Sequence, residues 1–512
     1  MLPFSDLFHR GRDDLFSLTS LLRWAREDGQ LKAVVVCLGD LRIGWARLQS
    51  LRRALLALKG AGKKVWVCLA EGGMPEYYLA TAADKVLLAP TGHLAITGLA
   101  VEATFLKGAL DKLGVEAQVS QVGKYKAAGE PFTREGMSAA HRDMMEALLD
   151  DLYAQVLEGI SSGRNKSKAQ VRTLIDQGSF LAHEALDAGL VDSLRYEDEI
   201  PALLAAGLGP CQTIDADRYR RQRGREVRKR TLREGVDVIG LLSVNGMLKR
   251  GETLPGPEGA VGVKSFARDL QQLREDPEVK AVVVRIASPG GSGVASDLMW
   301  RELVRTRQQK PVIVSMGDVA ASGGYYLAVA GDTVFAEEGT ITGSIGVIAG
   351  KAVLQGLYGH LGVAKEIITR GQRAALLSDY LPWAPADRER IEFEAHAFYR
   401  DFVHKVATCR RLSAEAVEGS AQGRVWTGRQ AWTRGLVDQI GGLEEALAEA
   451  KRRVGIPLHR SVAVVCYPRP RRLWPVPPAF PLVPRSWQGW WEPMGWAGER
   501  VWALLPFHLR FL

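Results

Sequence analysis

Ser322, followed by Gly323 and Gly324, is the residue whose setting in this sequence most directly suggests covalent chemistry. It lies in GDVAASGGYYLAVAGD, residues 317–332, where small residues lead into a short apolar run. A serine hydroxyl becomes an effective nucleophile when a neighbouring base takes its proton and backbone N–H groups hold the oxyanion that forms. Because serine in such a turn also commonly caps a helix, a nucleophilic role requires a base and an oxyanion site elsewhere in the chain.

The base that the sequence offers is a lysine. None of the nine histidines lies in a recognised catalytic motif, and Ala320 replaces the first glycine of a G-x-S-x-G elbow. The segment QVGKYKAAGEPF, residues 121–132, contains Lys124 and Lys126 followed by small residues. A lysine can act as a base when burial lowers its pKa from about 10.4 toward neutrality. On these grounds either lysine could serve.

A glycine-rich segment, SPGGSG at residues 288–293, follows an apolar run typical of a buried strand. Glycines at such a position leave backbone N–H groups open toward an anion, which favours an oxyanion site. The dinucleotide fingerprint G-x-G-x-x-G is not met, because Ser296 stands in the third glycine position. The chain also has no H-E-x-x-H, and no C-x-x-C among its five cysteines. We therefore predict no metal and no cofactor.

The chain contains two copies of one pattern. KAVVV at residues 32–36 recurs at 280–284, and YYLA at 77–80 recurs at 325–328, both at an offset of 248. Such collinear matches indicate a tandem duplication. Each copy alternates apolar runs with helical stretches, which predicts an α/β domain with a mainly parallel sheet flanked by helices. The predicted regions are a first repeat at 1–212, a basic linker at 213–235, a second repeat at 236–460 and a Pro/Trp-rich tail at 461–512.

The two copies differ where the chemistry would occur. At the same offset, Met74 stands in the place of Ser322, and Ala374 stands in the place of Lys126. Each copy therefore keeps one half of a possible Ser–Lys pair. We predict that one active site draws on both copies.

Four motifs, in this order, resemble those of signal peptide peptidase A in its long, tandem-repeat bacterial form. They are GKYKAAGEPF, SPGG, GDVAASGGYYLA and TGSIGV, the last at residues 342–347. The similarity extends over roughly residues 15–455 and implies two tandem domains with a crotonase-like, Clp-protease-type core. It implies a Ser–Lys endopeptidase that hydrolyses short, extended, apolar peptides such as remnant signal peptides, docked by strand addition beside SPGG. It also implies a homo-oligomer such as a tetramer.

The resemblance assigns a role to five residues of this chain. Ser322 matches the nucleophile and Lys126 the general base, which favours Lys126 over Lys124. Ser344 matches the serine that orients the lysine. The N–H groups of Gly290 and Gly323 match the oxyanion hole.

Charge and tryptophan are concentrated in two segments. Much of the net charge of +9 lies in RYRRQRGREVRKR, residues 218–230, which has eight basic residues and one acidic residue. Such a run is typical of a solvated linker or of contact with anionic lipid. It lacks the aromatic interleaving of a nucleic-acid site, so no nucleic-acid partner is predicted. The tail holds six of the thirteen tryptophans, at positions 474, 487, 490, 491, 496 and 502.

The sequence predicts no membrane-spanning helix. The N-terminus lacks the apolar core of a signal peptide and the membrane-spanning helix that usually begins the long form. Five prolines between residues 475 and 484 exclude a spanning helix in the tail. Tryptophan favours membrane interfaces, but it also packs at protein contacts. We expect either peripheral membrane association, on a side that the sequence leaves open, or a cytoplasmic protein.

Two other classes of protein remain open at this point. A crotonase-type core also serves acyl-CoA enzymes, whose oxyanion hole is likewise built from glycine N–H groups and which would need neither Ser322 nor Lys126. A non-catalytic, membrane-associated scaffold would account for the losses in the first copy and for the aromatic tail. A covalent probe directed at serine distinguishes these possibilities from a peptidase.

Overall fold

The first copy folds around a four-stranded parallel sheet. The structure is a computed structural model that describes residues 15–209, 212–234, 237–254, 259–469 and 502–504. The elements up to the basic segment are α1 (Leu15–Glu27), β1 (Ala33–Leu38), α2 (Trp45–Gly60), β2 (Lys64–Leu69), β3 (Gly72–Gly73), α3 (Met74–Ala80), β4 (Lys85–Leu88), β5 (His93–Ala95), α4 (Lys107–Lys112), β6 (Glu116–Val122), α5 (Glu130–Thr133), α6 (Ala139–Arg164), α7 (Lys168–Gln177), β7 (Ser179–Leu181), α8 (Ala182–Asp187), β8 (Ser193–Leu194) and α9 (Ile200–Leu208). The sheet has the order β1-β2-β4-β8, and a smaller sheet has the order β3-β5-β7.

The second copy repeats this plan around a larger sheet of order β18-β16-β14-β12-β9-β20. The basic segment and the second copy comprise α10 (Ala216–Glu234), β9 (Val238–Asn245), β10 (Met247–Lys249), β11 (Ala260–Gly262), α11 (Val263–Glu275), β12 (Val279–Ser288), β13 (Gly290–Ser292), α12 (Gly293–Arg307), β14 (Val312–Ala321), α13 (Gly323–Ala328), β15 (Thr333–Ala336), β16 (Ile341–Gly343), β17 (Val347–Val353), α14 (Gln355–His360), α15 (Pro385–Arg410), α16 (Ala414–Ser420), β18 (Val425–Thr427), α17 (Gly428–Thr433), β19 (Gln439–Ile440), α18 (Leu443–Arg453), β20 (Ala463–Tyr467) and β21 (Trp502–Leu504). Strands β12 and β14 run parallel and are buried on both faces. The predicted α/β class with largely parallel sheets is confirmed.

The duplication extends to individual buried contacts. The Tyr77 hydroxyl donates to the Leu190 carbonyl at 2.9 Å, and the Tyr325 hydroxyl donates to the Leu436 carbonyl at 2.9 Å. Because a buried phenol needs a partner for its hydroxyl, the repeated tyrosine secures the same packing in each copy. The recurrence of YYLA therefore has a structural cause that is independent of chemistry.

A mixed sheet joins the two copies, in the order β11-β10-β13-β21-β17-β6. Strand β6 belongs to the first copy, yet it pairs antiparallel with β17 of the second through seven residue pairs, from Val347 opposite Val122 to Val353 opposite Glu116. Val122 is buried in the core of the second copy. The end of β6 is thereby held against the second copy, next to the segment that carries Ser344.

The structure adds secondary structure to two of the predicted regions. The basic linker contains a helix, α10, and its Tyr219 hydroxyl donates to the Asp28 carboxylate of the first copy at 3.0 Å. Residues 463–467, assigned to the tail, form an edge strand parallel to β9. A five-residue strand has no periodicity of its own, and only its pairing partner defines it. The remaining tail prediction falls on residues 470–501 and 505–512, outside the described residues.

Candidate active site

Lys126 and Ser322 come together although 196 residues separate them in the chain. The Lys126 Nζ lies 2.7 Å from the Ser322 Oγ, within hydrogen-bonding distance. Both side chains are fully buried. A hydroxyl and an amine at this separation can exchange a proton directly, which is the arrangement that an activated serine requires.

Ser322 occupies a sharp turn between β14 and α13. Its backbone has φ +53° and ψ −114°, a left-handed conformation that non-glycine residues adopt only under constraint. Its N–H donates to the Gly343 carbonyl at 2.8 Å, and its carbonyl accepts from the Tyr326 N–H at 2.8 Å. These two bonds hold the turn, which directs the side chain away from the strand and toward Lys126.

Lys126 lies four residues after the end of β6, the strand that the first copy contributes to the mixed sheet. Its N–H donates to the Gly123 carbonyl at 3.1 Å, and the neighbouring Tyr125 N–H donates to the Gln422 carbonyl at 2.8 Å. A β-carbon added at Gly423 would lie 2.6 Å from the Lys126 Cβ, so the backbone of the second copy packs directly on the lysine. This burial lowers the pKa of Lys126 well below its ordinary value.

The other lysine of the motif is placed differently. Lys124 is exposed, and its Nζ lies 5.3 Å from the centre of the Tyr125 ring. Of these two lysines, Lys126, which the resemblance favoured, is the one that reaches Ser322.

Ser344 contacts the same amine. The Lys126 Nζ lies 3.0 Å from the Ser344 Oγ and donates to the Ser344 carbonyl at 3.2 Å. Ser344 also has a positive φ of +52°, and its N–H donates to the Arg424 carbonyl at 2.7 Å. Two oxygens of one residue therefore fix the position of the Lys126 amine.

Gly290 and Gly323 pack backbone against backbone. A β-carbon at Gly323 would lie 3.1 Å from the Gly290 Cα and 2.5 Å from the Ser296 Oγ, so no side chain fits there without displacement. Gly290 has φ +110°, which glycine adopts without strain. The two peptide groups assigned to the oxyanion hole are thus adjacent.

Ser288, the first residue of the SPGG motif, lies beside Gly290. The Gly290 N–H donates to the Ser288 Oγ at 3.2 Å. The hydroxyl satisfies this buried donor in the present arrangement, which agrees with the general pairing of buried polar groups. In the sequence, Ser288 stands two residues before Gly290, with Pro289 between them.

The matching place in the first copy is filled by a carboxylate. Glu76, which stands in the place of Gly324, accepts from the Leu41 N–H at 2.7 Å and from the Gly73 N–H at 2.9 Å. By the offset of 248, Arg42 and Pro75 stand in the places of Gly290 and Gly323, and a proline has no N–H to donate. Met74 has no hydroxyl, so the first copy lacks the groups that would match Ser322 and the Gly323 N–H.

A short strand from the C-terminus lies in the mixed sheet beside the glycine segment. Strand β21 pairs antiparallel with β13, with Gly290 opposite Leu504, and it also pairs antiparallel with β17, with Ile348 opposite Trp502. It therefore occupies the gap between these two strands. An extended peptide fits this gap through backbone pairing.

No group of three or more potential metal ligands occurs among the described His, Cys, Asp and Glu residues. Within the same residues, no helix combines the length and apolar character needed to cross a membrane.

Comparison with known proteins identifies the family. The profile of Peptidase family S49 matches residues 57–209 and again residues 305–457. The chain is 38% identical over 455 residues to the chloroplastic serine protease SPPA of Arabidopsis thaliana, covering 87% of this chain and 66% of that protein. It is 32% identical over 448 residues to Protease 4 of Salmonella typhi, covering 86% of this chain and 72% of that protein.

Among solved structures, a ClpP1 N165D mutant from Listeria monocytogenes aligns with 40% of this chain and 94% of its own, at 14% identity and a TM-score of 0.27. That similarity is too slight to support a conclusion. The two profile matches coincide with the two copies and together cover more than half of the sequence. The chain belongs to peptidase family S49, as a serine peptidase with two tandem copies of the family's domain.

Proposed function

We propose that this peptidase cleaves peptide bonds with Ser322 as the nucleophile and Lys126 as the general base. The observation that carries the proposal is the 2.7 Å separation between the Ser322 Oγ and a fully buried Lys126 Nζ. The lowered pKa of Lys126 keeps the amine neutral at a pH where an exposed lysine would be protonated. A neutral amine has two N–H bonds and one lone pair. The two oxygens of Ser344 accept hydrogen bonds from the two N–H groups, and the lone pair faces the Ser322 hydroxyl.

The reaction then proceeds in two balanced steps. Ser322 Oγ attacks the substrate carbonyl carbon as Lys126 takes the hydroxyl proton, and the protonated lysine returns that proton to the departing amine. An ester between Ser322 and the acyl part of the substrate remains. Lys126 next takes a proton from water, which attacks the ester, and the released serine recovers the proton.

Gly290 and Gly323 would stabilise the oxyanion in both steps. Their adjacent backbones allow both N–H groups to face one oxygen, where they act without reorganising solvent. The Gly290 N–H bonds to Ser288 in the present arrangement. The substrate oxygen would therefore displace the Ser288 hydroxyl from the Gly290 N–H, or share that donor with it, as it enters.

The substrate class follows from the gap between β13 and β17. Two strands that both pair with one extended segment favour an unfolded peptide bound through its backbone. Short, largely apolar peptides such as signal peptide remnants have this form. Backbone pairing also sets this proposal apart from an acyl-CoA enzyme, whose substrate offers no strand to pair.

A fluorophosphonate probe tests the proposal. We expect one covalent adduct, which peptide mapping locates on Ser322, and hydrolysis of an apolar fluorogenic peptide should cease in step with labelling. Peptide hydrolysis that continues after stoichiometric labelling, or an adduct on another serine, would contradict the assignment. Turnover of an acyl-CoA without labelling would favour the other enzyme class.

We also propose that the chain forms a homo-oligomer through a second set of the strand pairs that join its copies. The counterpart of β17 in the first copy is residues 99–105, and the counterpart of β6 in the second copy is residues 364–370. Neither segment forms a strand within the described chain. A head-to-tail neighbour could pair these two segments as β6 pairs with β17, and such heterologous contacts form a ring when the rotation between neighbours closes.

The repeat predicts the register of this contact. Ala349 pairs with Ser120 within the chain. Shifted by the offset of 248, this pair becomes Val101 of one subunit opposite Ile368 of the neighbouring subunit. Ile368 is 81% exposed in the single chain. An apolar side chain with that exposure at a predicted strand edge supports a contact there.

Ile368→Asp should weaken self-association. We expect sedimentation velocity to show the dissociation constant raised by at least about tenfold, since burying an unpaired carboxylate at a contact is unfavourable by well over 1.4 kcal/mol. Leu56→Asp, at a half-exposed leucine on α2 outside the proposed contact, is the control. A monomeric parent chain, or equal effects of the two changes, would overturn the proposed interface.

A further inference from the structure

A buried carboxylate and a buried imidazole lie just beyond the proposed base. Glu130 stands four residues after Lys126, in the motif GKYKAAGEPF. Its carboxylate lies 3.0 Å from the His141 Nδ1 and accepts from the Ser138 N–H at 3.1 Å. The exposed fractions of Glu130 and His141 are 6% and 1%. Because a buried carboxylate is stable only when its partners replace the water that it has lost, the two side chains depend on each other's position.

This pair fastens residues 126–130, the segment that carries the base, to a long helix. Ser138 is the N-cap of α6, and its hydroxyl accepts from the His141 N–H at 3.1 Å. Helix α6 packs in the core of the first copy, where its Met144 is fully buried. The partial positive charge at a helix N-terminus also favours a carboxylate there. Glu130 therefore ties the far end of the base segment to an element that the core keeps in place.

The base depends on how tightly this segment packs, because burial is what lowers the pKa of Lys126. In the middle of the segment, a β-carbon added at Gly129 would lie 2.7 Å from the Val119 Cγ1, so the packing there is close. The Thr133 hydroxyl donates to the Gly129 carbonyl at 3.0 Å. If the far end of the segment came loose, water would reach the Lys126 amine, and its pKa would return toward the ordinary value.

The pair is confined to the copy that holds the lysine. The offset of 248 places Ser378 at the position of Glu130. Helices α6 and α15 each have 26 residues, and their third residues are His141 and Asp387. The second copy thus builds the same helix without this pair and without the lysine. A pair needed only to fold the domain would be expected in both copies, as the repeated tyrosine is, so its presence in the first copy alone connects it with the base.

We propose that Glu130 and His141 are positioning residues, which hold the Lys126 amine buried against Ser322. This inference rests on the proposed function, because it assigns the support of the general base. Loss of the pair should lower kcat and leave KM nearly unchanged, since the base segment is loosened and the bound peptide is not. The rise of kcat with pH should move to higher pH, because a more hydrated amine keeps its proton longer.

Glu130→Ala tests the proposal. We expect kcat for a soluble apolar peptide to fall by about tenfold at pH values below the rise, with KM within about twofold, as the rise itself moves up by about one pH unit. The difference should shrink at high pH, whereas a loss of folded protein would lower kcat by one factor at every pH. Glu130→Gln keeps an acceptor for the Ser138 N–H and should restore most of the activity. Tyr77→Phe, which removes a buried hydrogen bond to the Leu190 carbonyl, is the matched control and should leave the rise in place.

A titration that needs no turnover separates this inference from the proposed function. Lysine labelled with ¹³C at Cε is incorporated into the full-length parent and its variants, and the NMR resonance that Lys126→Met lacks reports the protonation of Lys126. We expect Glu130→Ala, or His141→Leu where the first variant does not fold, to move the midpoint of this titration up by about one pH unit. An unchanged midpoint in a folded variant would overturn the positioning role even if peptides are hydrolysed. A raised midpoint without hydrolysis by the parent would overturn only the proposed function.

Discussion

Ser322→Ala is expected to lower kcat/KM for peptide hydrolysis by about four orders of magnitude or more, since loss of the nucleophile removes the covalent pathway. Alanine keeps the β-carbon and places no larger group in the buried site, so the fold should persist. The measurement is hydrolysis of an apolar fluorogenic peptide, with thermal unfolding as the check on folding. Activity within about tenfold of the parent would exclude Ser322 as the nucleophile.

A variant that carries both Ser322→Ala and Lys126→Met tests whether the two residues act in the same step. Residues that act as one catalytic unit are strongly non-additive, because either loss disables the same step. Ser322→Ala combined with Lys126→Met should therefore be little slower than Ser322→Ala alone. If the loss of kcat/KM in the double variant equalled the product of the two single losses, the two residues would act in separate steps.

Lys126→Met is the second change with a large expected effect. Methionine preserves much of the length and apolar character of the stem but has no amine, so kcat/KM should fall by about three orders of magnitude or more. Lys124→Met removes the neighbouring exposed lysine and should stay within about threefold of the parent. A severe loss from the Lys124 change with a mild loss at Lys126 would reverse the assignment of the base.

The same pair of variants predicts a pH dependence with a definite sign. Burial lowers the pKa of Lys126 in the folded protein, so kcat/KM of the parent should rise with pH as the amine loses its proton, along a limb well below pH 10.5. In the unfolded chain the lysine keeps its ordinary pKa and binds a proton throughout that interval. The free energy of unfolding should consequently fall as pH decreases between the two pKa values, with a slope approaching about 1.4 kcal/mol per pH unit.

Lys126→Met should lack this slope, and Lys124→Met should retain it. Denaturant unfolding of the three proteins at several pH values measures the difference directly. A parallel pH dependence of stability in the parent and in Lys126→Met would mean that the buried amine does not titrate as proposed. If kcat/KM rose with pH only near pH 10.5, this would contradict a lysine base whose pKa is lowered by burial.

The amino-acid sequence by itself determined the duplication, the α/β class of each copy and the kinds of groups available for chemistry. These follow from local information. Apolar runs of strand length, the offset of 248 and the replacement of Ser322 by Met74 in the first copy can all be read without a structure. Membership of a peptidase family, expected from four short motifs, is confirmed by the match of both copies. The roles assigned to individual site residues stay predictions until they are tested.

Only the tertiary structure decided how those groups meet. Lys124 and Lys126 are alike in sequence, but the pairing of β6 with β17 and the packing of Gly423 bury one of them and leave the other exposed. Burial is what lowers the pKa of a lysine, and burial depends on residues about 300 positions away. The left-handed turn at Ser322 likewise depends on a bond to the Gly343 carbonyl. Strand pairing between distant segments has no local signature, which is why the residues alone did not choose between Lys124 and Lys126 and gave no sign that residues 502–504 pair with β13 and β17.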